Sequence, residues 1–267
     1  MKVERIGTRG LLFSFNNPYL TNVYVIIGNE HVFVLDTSLG SEPMRFVKET
    51  LEEQDYGNRP IVIFNSHGDY DHHWGNAVFD DALIIGHLYC RSRILEESKG
   101  ALRKYRDHKR GDVVIKAPSL TFYKRLEFPE EGISFFHTPG HTIDSASCFD
   151  DVDKVLFVGD NVESPIPYVY NTNVGQYSKT LMSYRDIEWK VMLASHDPPL
   201  HDKILLEKNI EYISNLQNWS IELAELSEEE LHLHAHNVSY LEKNLSRRMM
   251  TSAAKRHFEA IKKVSRH

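Results

Sequence analysis

Cysteine is nearly absent from this 267-residue chain: Cys90 and Cys148 are its two, and neither lies in a C-x-x-C or other metal-type spacing. That excludes a disulfide framework and a thiolate metal cluster, and both residues are expected as buried free thiols in a reducing cytosol. No run of about 18 apolar residues occurs, and M-K-V-E-R-I-G at the start has no apolar signal core. Positive charge is not in excess either. With 31 Lys and Arg against 38 Asp and Glu, the net charge of −7 excludes a nucleic-acid surface spread over the whole molecule. The chain lacks a G-x-S-x-G serine elbow, a G-x-x-x-x-G-K-[ST] phosphate loop, a fixed-period repeat and a low-complexity segment. The expectation is a cytoplasmic globular protein with no membrane partner and, a local basic patch apart, no nucleic-acid partner.

What is present is an alternation of short apolar runs with turn signals. V-Y-V-I-I-G (23–28) and H-V-F-V-L-D-T (31–37) predict a hairpin, and Ser41 to Gln54 predicts an amphipathic helix with Ser41 as its N-cap. P-I-V-I-F-N (60–65) and D-A-L-I-I-G (81–86) predict strands, and His87 to Lys104 a helix. Strands are expected at 120–128 and 132–138, then a hairpin of 145–149 with 154–160, a helix near 179–188 and a strand at 191–196. From Asp202 onward the pattern is helical. Strands interleaved with helices, followed by helices alone, predict an α/β domain over 1–201 and a C-terminal helical extension over 202–267.

The chemistry concentrates in N-S-H-G-D-Y-D-H-H-W-G-N, 65–76, directly after a strand. His67, Asp69, Asp71 and His72 fall within six residues, and imidazole and carboxylate are the ligands of zinc, iron and manganese. In an extended loop, residues two apart face the same way, so His67, Asp69 and Asp71 can converge, and Gly68 permits the tight turn. The competing explanation is a capping cluster before a helix starting at His73. Three further candidates each end an apolar run: His141 in T-P-G-H-T, Asp160 in F-V-G-D and His196 in L-A-S-H-D. One histidine after a strand is an ordinary turn residue; together they point to a shared site.

These residues resemble the signature of the metallo-beta-lactamase-fold hydrolases: H-x-H-x-D-H, then a His in a P-G-H-T turn, an Asp after Gly and a last His. Six of the seven ligand positions match, over about residues 20–200, and Asn22, V-L-D-T-S-L-G with Asp36, and W-G-N also match. The resemblance implies a four-layer αββα sandwich, an α/β fold, with the site along one edge. It implies that His67, Asp69 and His141 hold one divalent metal, that Asp71, His72 and His196 hold a second, and that Asp160 bridges them; His73 has no family role. A water between two metals about 3.5–4 Å apart loses its proton near neutral pH and attacks a carbonyl or phosphoryl centre, with Asp71 as proton relay. The stretch from Asp160 to His196 is too short for the insertion domain of the superfamily's nucleases.

The departure from the signature is Asp69, where the family has a second histidine. Zinc is the expected metal, but a carboxylate there tilts the site towards iron or manganese. In diiron flavoproteins of this fold a glutamate occupies that position, yet no flavin domain fits after residue 200. The expectation is a dinuclear hydrolase of a small ester, lactone or thioester, with a diiron redox or oxygen-sensing protein and a phosphodiesterase as alternatives. The segment 91–110 carries eight Lys or Arg against three acids and is expected as a solvated helix face, with steering of an anionic substrate as its rival. Tyr168, Tyr170 and Tyr177 are candidate oxyanion donors. H-L-H-A-H (232–236) is expected as exposed histidines, and the basic tail from Lys243 as a packing or homodimerising helical pair.

Overall fold

Val, Ile, Phe and Tyr dominate the segments that become strands, because β-branched and aromatic side chains pack well on a pleated surface. The computed structural model of the protein describes residues 1–245 and 251–264. Two compact units are present, one formed by Met1–His137, Asp144–Gly159 and Trp189–His201, the other by Thr138–Ile143, Asp160–Glu188 and Asp202–His267.

The first unit holds two sheets. One runs in spatial order through β1 (Lys2–Ile6), β2 (Gly10–Asn16), β3 (Leu20–Ile27), β4 (Val32–Leu35), β5 (Ile61–Asn65), β6 (Leu83–His87) and β7 (Leu120–Phe122). Its first four strands pair antiparallel and β4 to β7 pair parallel. The other sheet, made of β8 (Arg125–Phe128), β9 (Ile133–His137), β10 (Ala146–Asp150), β11 (Val155–Gly159) and β12 (Val191–Ala194), has those strands in reverse spatial order. Only β11 and β12 pair parallel in it. The run expected as one strand over 120–128 is broken at Tyr123 and Lys124, where the chain leaves one sheet for the other.

The sheets face each other across Phe33, Leu35, Phe64 and Ile85 on one side and Phe135, Cys148, Phe157 and Leu193 on the other. Phe64 stacks on Phe135 with ring centroids 4.4 Å apart. Complete burial of each such side chain contributes roughly 1.5–3 kcal/mol. On the opposite face of the larger sheet, Met44, Val47 and Leu51 of α1 (Ser41–Glu53) cover Val25, Val34 and Ile63. β4, and β5 from Ile61 to Phe64, are therefore apolar, as strands covered on both faces must be. The N-cap of α1 is Gly40 rather than Ser41; the Ser41 hydroxyl accepts instead from Asp112 N and Arg45. Two more helices belong to this unit, α2 (Tyr70–His73) and α3 (Leu88–Lys104).

The second unit contains α4 (Val174–Asp186), α5 (Ile204–Asn218), α6 (Glu228–Asn244) and α7 (Ser252–Val264). A capping box between Ser227 and Glu230 starts α6. Asn237 of α6 accepts from Val169 N and donates to Pro167 O, and Asn209 of α5 exchanges two hydrogen bonds with the Glu163 backbone. His234, expected as exposed, is fully buried and lies 2.8 Å from His257, Nε2 to Nε2. The period of α6 turns His234 to the same face as Asn237, Val238 and Leu241, which buries it. Among the described residues no helix is long and apolar enough to cross a membrane. Part of the basic tail, 246–250 and 265–267, lies outside the described residues.

Candidate metal centre

β5 ends at Asn65, and the chain then passes through Ser66, His67, Gly68 and Asp69 into the single turn α2, which carries Asp71 and His72. His73 closes that turn instead of opening a helix, and burial together with His72 lowers its pKa to about 3, so it is neutral. β12 delivers His196 two residues past its end. Asn22 fixes that segment by donating to Ala194 O at 2.9 Å and Asp197 O at 2.7 Å. Five of the seven expected residues, His67, Asp69, Asp71, His72 and His196, thus belong to the first unit. Ligand atoms of Asp71, His72 and His196 lie within 4.8 Å of one another.

The other two, His141 and Asp160, belong to the second unit, with His141 Nε2 3.8 Å from Asp160 Oδ2. Asn161 holds the P-G-H-T turn there by accepting from His141 N at 2.8 Å and donating to Thr138 O and the Tyr184 hydroxyl. Gly140 is required because a Cβ would sit 2.5 Å from both Asn161 Oδ1 and the Tyr177 ring. Tyr177 is buried, and its hydroxyl donates to Asn161 O, so it is a scaffold residue rather than an oxyanion donor.

All four histidines share one orientation. Nδ1 of His72 meets Asp36 Oδ2 at 2.8 Å, Nδ1 of His67 meets Ser66 Oγ at 3.0 Å, Nδ1 of His196 meets Leu20 O at 2.7 Å and Nδ1 of His141 meets Tyr168 O at 3.1 Å. Ser66 Oγ already donates to Asp36 at 2.7 Å, so it accepts from His67. With Nδ1 occupied, Nε2 carries the lone pair in each neutral ring. Each Nε2 faces a carboxylate: His67 to Asp69 at 3.5 Å, His72 to Asp71 at 3.6 Å, His196 to Asp71 at 3.5 Å, and His141 to Asp160 as above. These spacings exceed an ordinary hydrogen bond and match the edge of a tetrahedron whose ligand bonds are ~2.1 Å, about 3.4 Å. The donor set therefore fits metal ions.

Five residues around these donors, Tyr19, Tyr70, His108, Arg93 and Asp144, had no local signal in the sequence as site residues. Tyr19 donates to Asp71 Oδ2 at 2.9 Å and lies 2.6 Å from the Tyr70 hydroxyl, which is 2.7 Å from His108 Nδ1. Burial, and after it Asp71, raises the Tyr19 pKa, which keeps the hydroxyl protonated. Arg93, in the basic segment expected as a solvated face, turns inward and donates to Asp69 Oδ1 at 2.6 Å and to Asp144 Oδ1 at 2.7 Å. Asp144 is fully buried. Cys90 and Cys148 are buried free thiols whose pKa burial pushes up, so neither is an activated nucleophile.

The sequence matches the family model of the metallo-beta-lactamase superfamily over residues 16–216. No curated protein matches it. Among solved structures, a metallo-beta-lactamase from Pontibacter korlensis is similar, with TM-score 0.64 and 18% identity over 80% of this chain and 99% of that one. A metallo beta-lactamase from Hirschia baltica gives 0.62 and 15% over 80% and 97%, and the DIM-1 metallo-beta-lactamase 0.66 and 18% over 80% and 97%. At such identities the likeness establishes the fold, and the expected four-layer αββα sandwich with a C-terminal helical region is borne out.

Proposed function

Since the chain belongs to the metallo-beta-lactamase superfamily, we propose that it is a dinuclear metal-dependent hydrolase acting on a small ester, lactone or thioester. The observation that carries this is the common orientation of His67, His72, His141 and His196, each with Nδ1 bound to protein and Nε2 facing a carboxylate. In this proposal His67, Asp69 and His141 would hold one divalent ion and Asp71, His72 and His196 the other, with Asp160 as a further ligand, as the order of the family motif implies. Two such ions would supply Lewis acidity and water that ionises near neutral pH.

The chain's own part is to fix and orient. Asp36 accepts from His72 and from Ser66, and through Ser66 it also sets His67. Asp71 is the proton acceptor for the attacking water, its carboxylate steadied by the Tyr19 hydroxyl. No serine or cysteine nucleophile enters, in agreement with the buried thiols. A cytoplasmic setting belongs to the same proposal.

A second proposal, a diiron redox or sensing protein, is favoured by the carboxylate of Asp69. Metal analysis of protein purified without added metal, followed by a chromogenic panel of esters, lactones, thioesters and phosphodiesters, separates the two. Ester or thioester turnover that disappears with a chelator and in Asp160→Ala and His141→Ala supports the hydrolase. Full activity in either variant overturns it, and iron with an oxygen-sensitive visible spectrum and no turnover supports the second proposal.

A further inference from the structure

Asp69 breaks the family motif, and a carboxylate there can bind an ion through either oxygen or both. Its surroundings narrow that choice. Oδ1 accepts from Arg93 Nη2 at 2.6 Å, while Oδ2 is the oxygen 3.5 Å from His67 Nε2. Arg93 is itself held from several sides. Nη1 donates to Asp144 Oδ1 at 2.7 Å, and Nε and Nη2 donate to the two Glu97 oxygens at 3.2 and 3.1 Å. Asp144 closes the loop by accepting Gly68 N on Oδ2 at 2.7 Å, so the backbone between His67 and Asp69 and the Asp69 side chain are tied to one pair, buried Asp144 with half-buried Arg93. All of these residues belong to the first unit.

We propose that Arg93 is a positioning residue that occupies Asp69 Oδ1 and presents Oδ2 alone, making Asp69 a one-oxygen ligand that stands in geometrically for the missing histidine. The planar guanidinium suits this task because its donors leave in fixed directions, so holding Asp144 and Asp69 at once dictates the plane of the Asp69 carboxylate. A lysine is a point donor and cannot fix both. Arg93 shares its single positive charge among Asp69, buried Asp144 and the more exposed Glu97. Its contribution to Asp69 is therefore direction more than neutralisation. An imidazole at position 69 has one lone pair and needs no such constraint, so Arg93 matters to the metal only while residue 69 is a carboxylate.

This inference rests on the proposal that Asp69 is a metal ligand, and the two can fail separately. Zn2+ binding to the full-length chain is measured by competition with a chromophoric chelator, and thermal midpoint alongside it, for Asp69→Ala, Asp69→His, Arg93→Met and the pair Asp69→His with Arg93→Met. Arg93→Met is expected to weaken one of the two Zn2+ sites by about 10- to 100-fold, the range for groups that orient ligands. In the Asp69→His background the same change is expected to alter affinity less than about twofold. Equal loss in both backgrounds overturns the proposal and leaves Arg93 as a tie to Asp144, and unchanged affinity in Arg93→Met overturns it outright. Wild-type Zn2+ affinity in Asp69→Ala removes Asp69 from the ligands, and the role of Arg93 with it. If Arg93→Met does not fold, Arg93→Lys serves: it keeps the charge and one donor, and its expected result is partial loss confined to the Asp69 background.

Discussion

His72 and Ser66 place their hydrogen-bond donors on a single oxygen, Asp36 Oδ2, at 2.8 and 2.7 Å, and Asp36 Oδ1 takes Ser66 N at 2.7 Å. Asp36 reaches this position from the left-handed region at φ 59°, which Asp and Asn tolerate better than most residues. Asp36→Asn keeps that backbone preference and the side-chain volume but offers one acceptor oxygen instead of two. Metal affinity, read by chelator competition, is expected to fall about 10- to 100-fold with the fold intact.

The Tyr19 pair with Asp71 has a direction. An ionised carboxylate only accepts, so Tyr19 is the donor; Tyr70 then donates to Tyr19, and His108 Nδ1–H to Tyr70. Tyr19→Phe removes the bond at the Asp71 end and is expected to lower stability in urea by about 1.5 kcal/mol, the low end for a bond to a charged acceptor because the pair is part-buried. Turnover of any substrate found is expected to drop about tenfold, equivalent to ~1.4 kcal/mol in the barrier. His108→Ala, at the far end of the chain, is expected to leave stability within about 0.5 kcal/mol.

Phe135 stacks on Phe64 and touches Phe33 and Phe128 edge-on or tilted. Truncation to alanine opens a cavity between two sheets that cannot both collapse onto it. Phe135→Ala is expected to cost about 3–5 kcal/mol in a denaturant titration, whereas Phe135→Leu costs less.

The buried histidine pair of the second unit makes stability depend on acid. Burial, with His257 adding to it, lowers the His234 pKa from 6.5 to about 3, and burial lowers that of His257. Neutral His234 accepts the Tyr212 hydroxyl on Nδ1 and donates from Nε2 to His257. Above pH 6.5 the histidine is neutral both folded and unfolded and contributes no pH slope. Between 6.5 and about 3 only the unfolded chain takes the proton, so stability is lost as pH falls. Thermal midpoints recorded across that window are expected to fall less steeply in His234→Gln than in the parent.

Much of the first unit was legible because its signals are local. β5, β6 and α3 follow from apolar runs and a helical period in adjacent residues, and His67, Asp69, Asp71 and His72 stand together in one loop. Less was legible where the determinant is distant. β1 and β2 carry weak alternation and are strands because β3 pairs with β2 and β2 with β1. The break at Tyr123 depends on which sheet each half joins, and the loops bearing His141 and Asp160 group with the C-terminal helices through Asn209 and Asn237.

The sequence by itself determined the donor types and their order along the chain, because ligand chemistry and strand-end spacing are properties of short segments. It also marked Asp69 as an anomaly. Only the tertiary structure decided how that anomaly is accommodated. Arg93, on a helix, meets Asp69 from 24 residues away, and Asp144, on a strand-leading loop, meets Gly68 and Arg93 from 76 and 51 residues away. A hydrogen-bond direction between such distant residues is set by packing and is encoded in no local pattern.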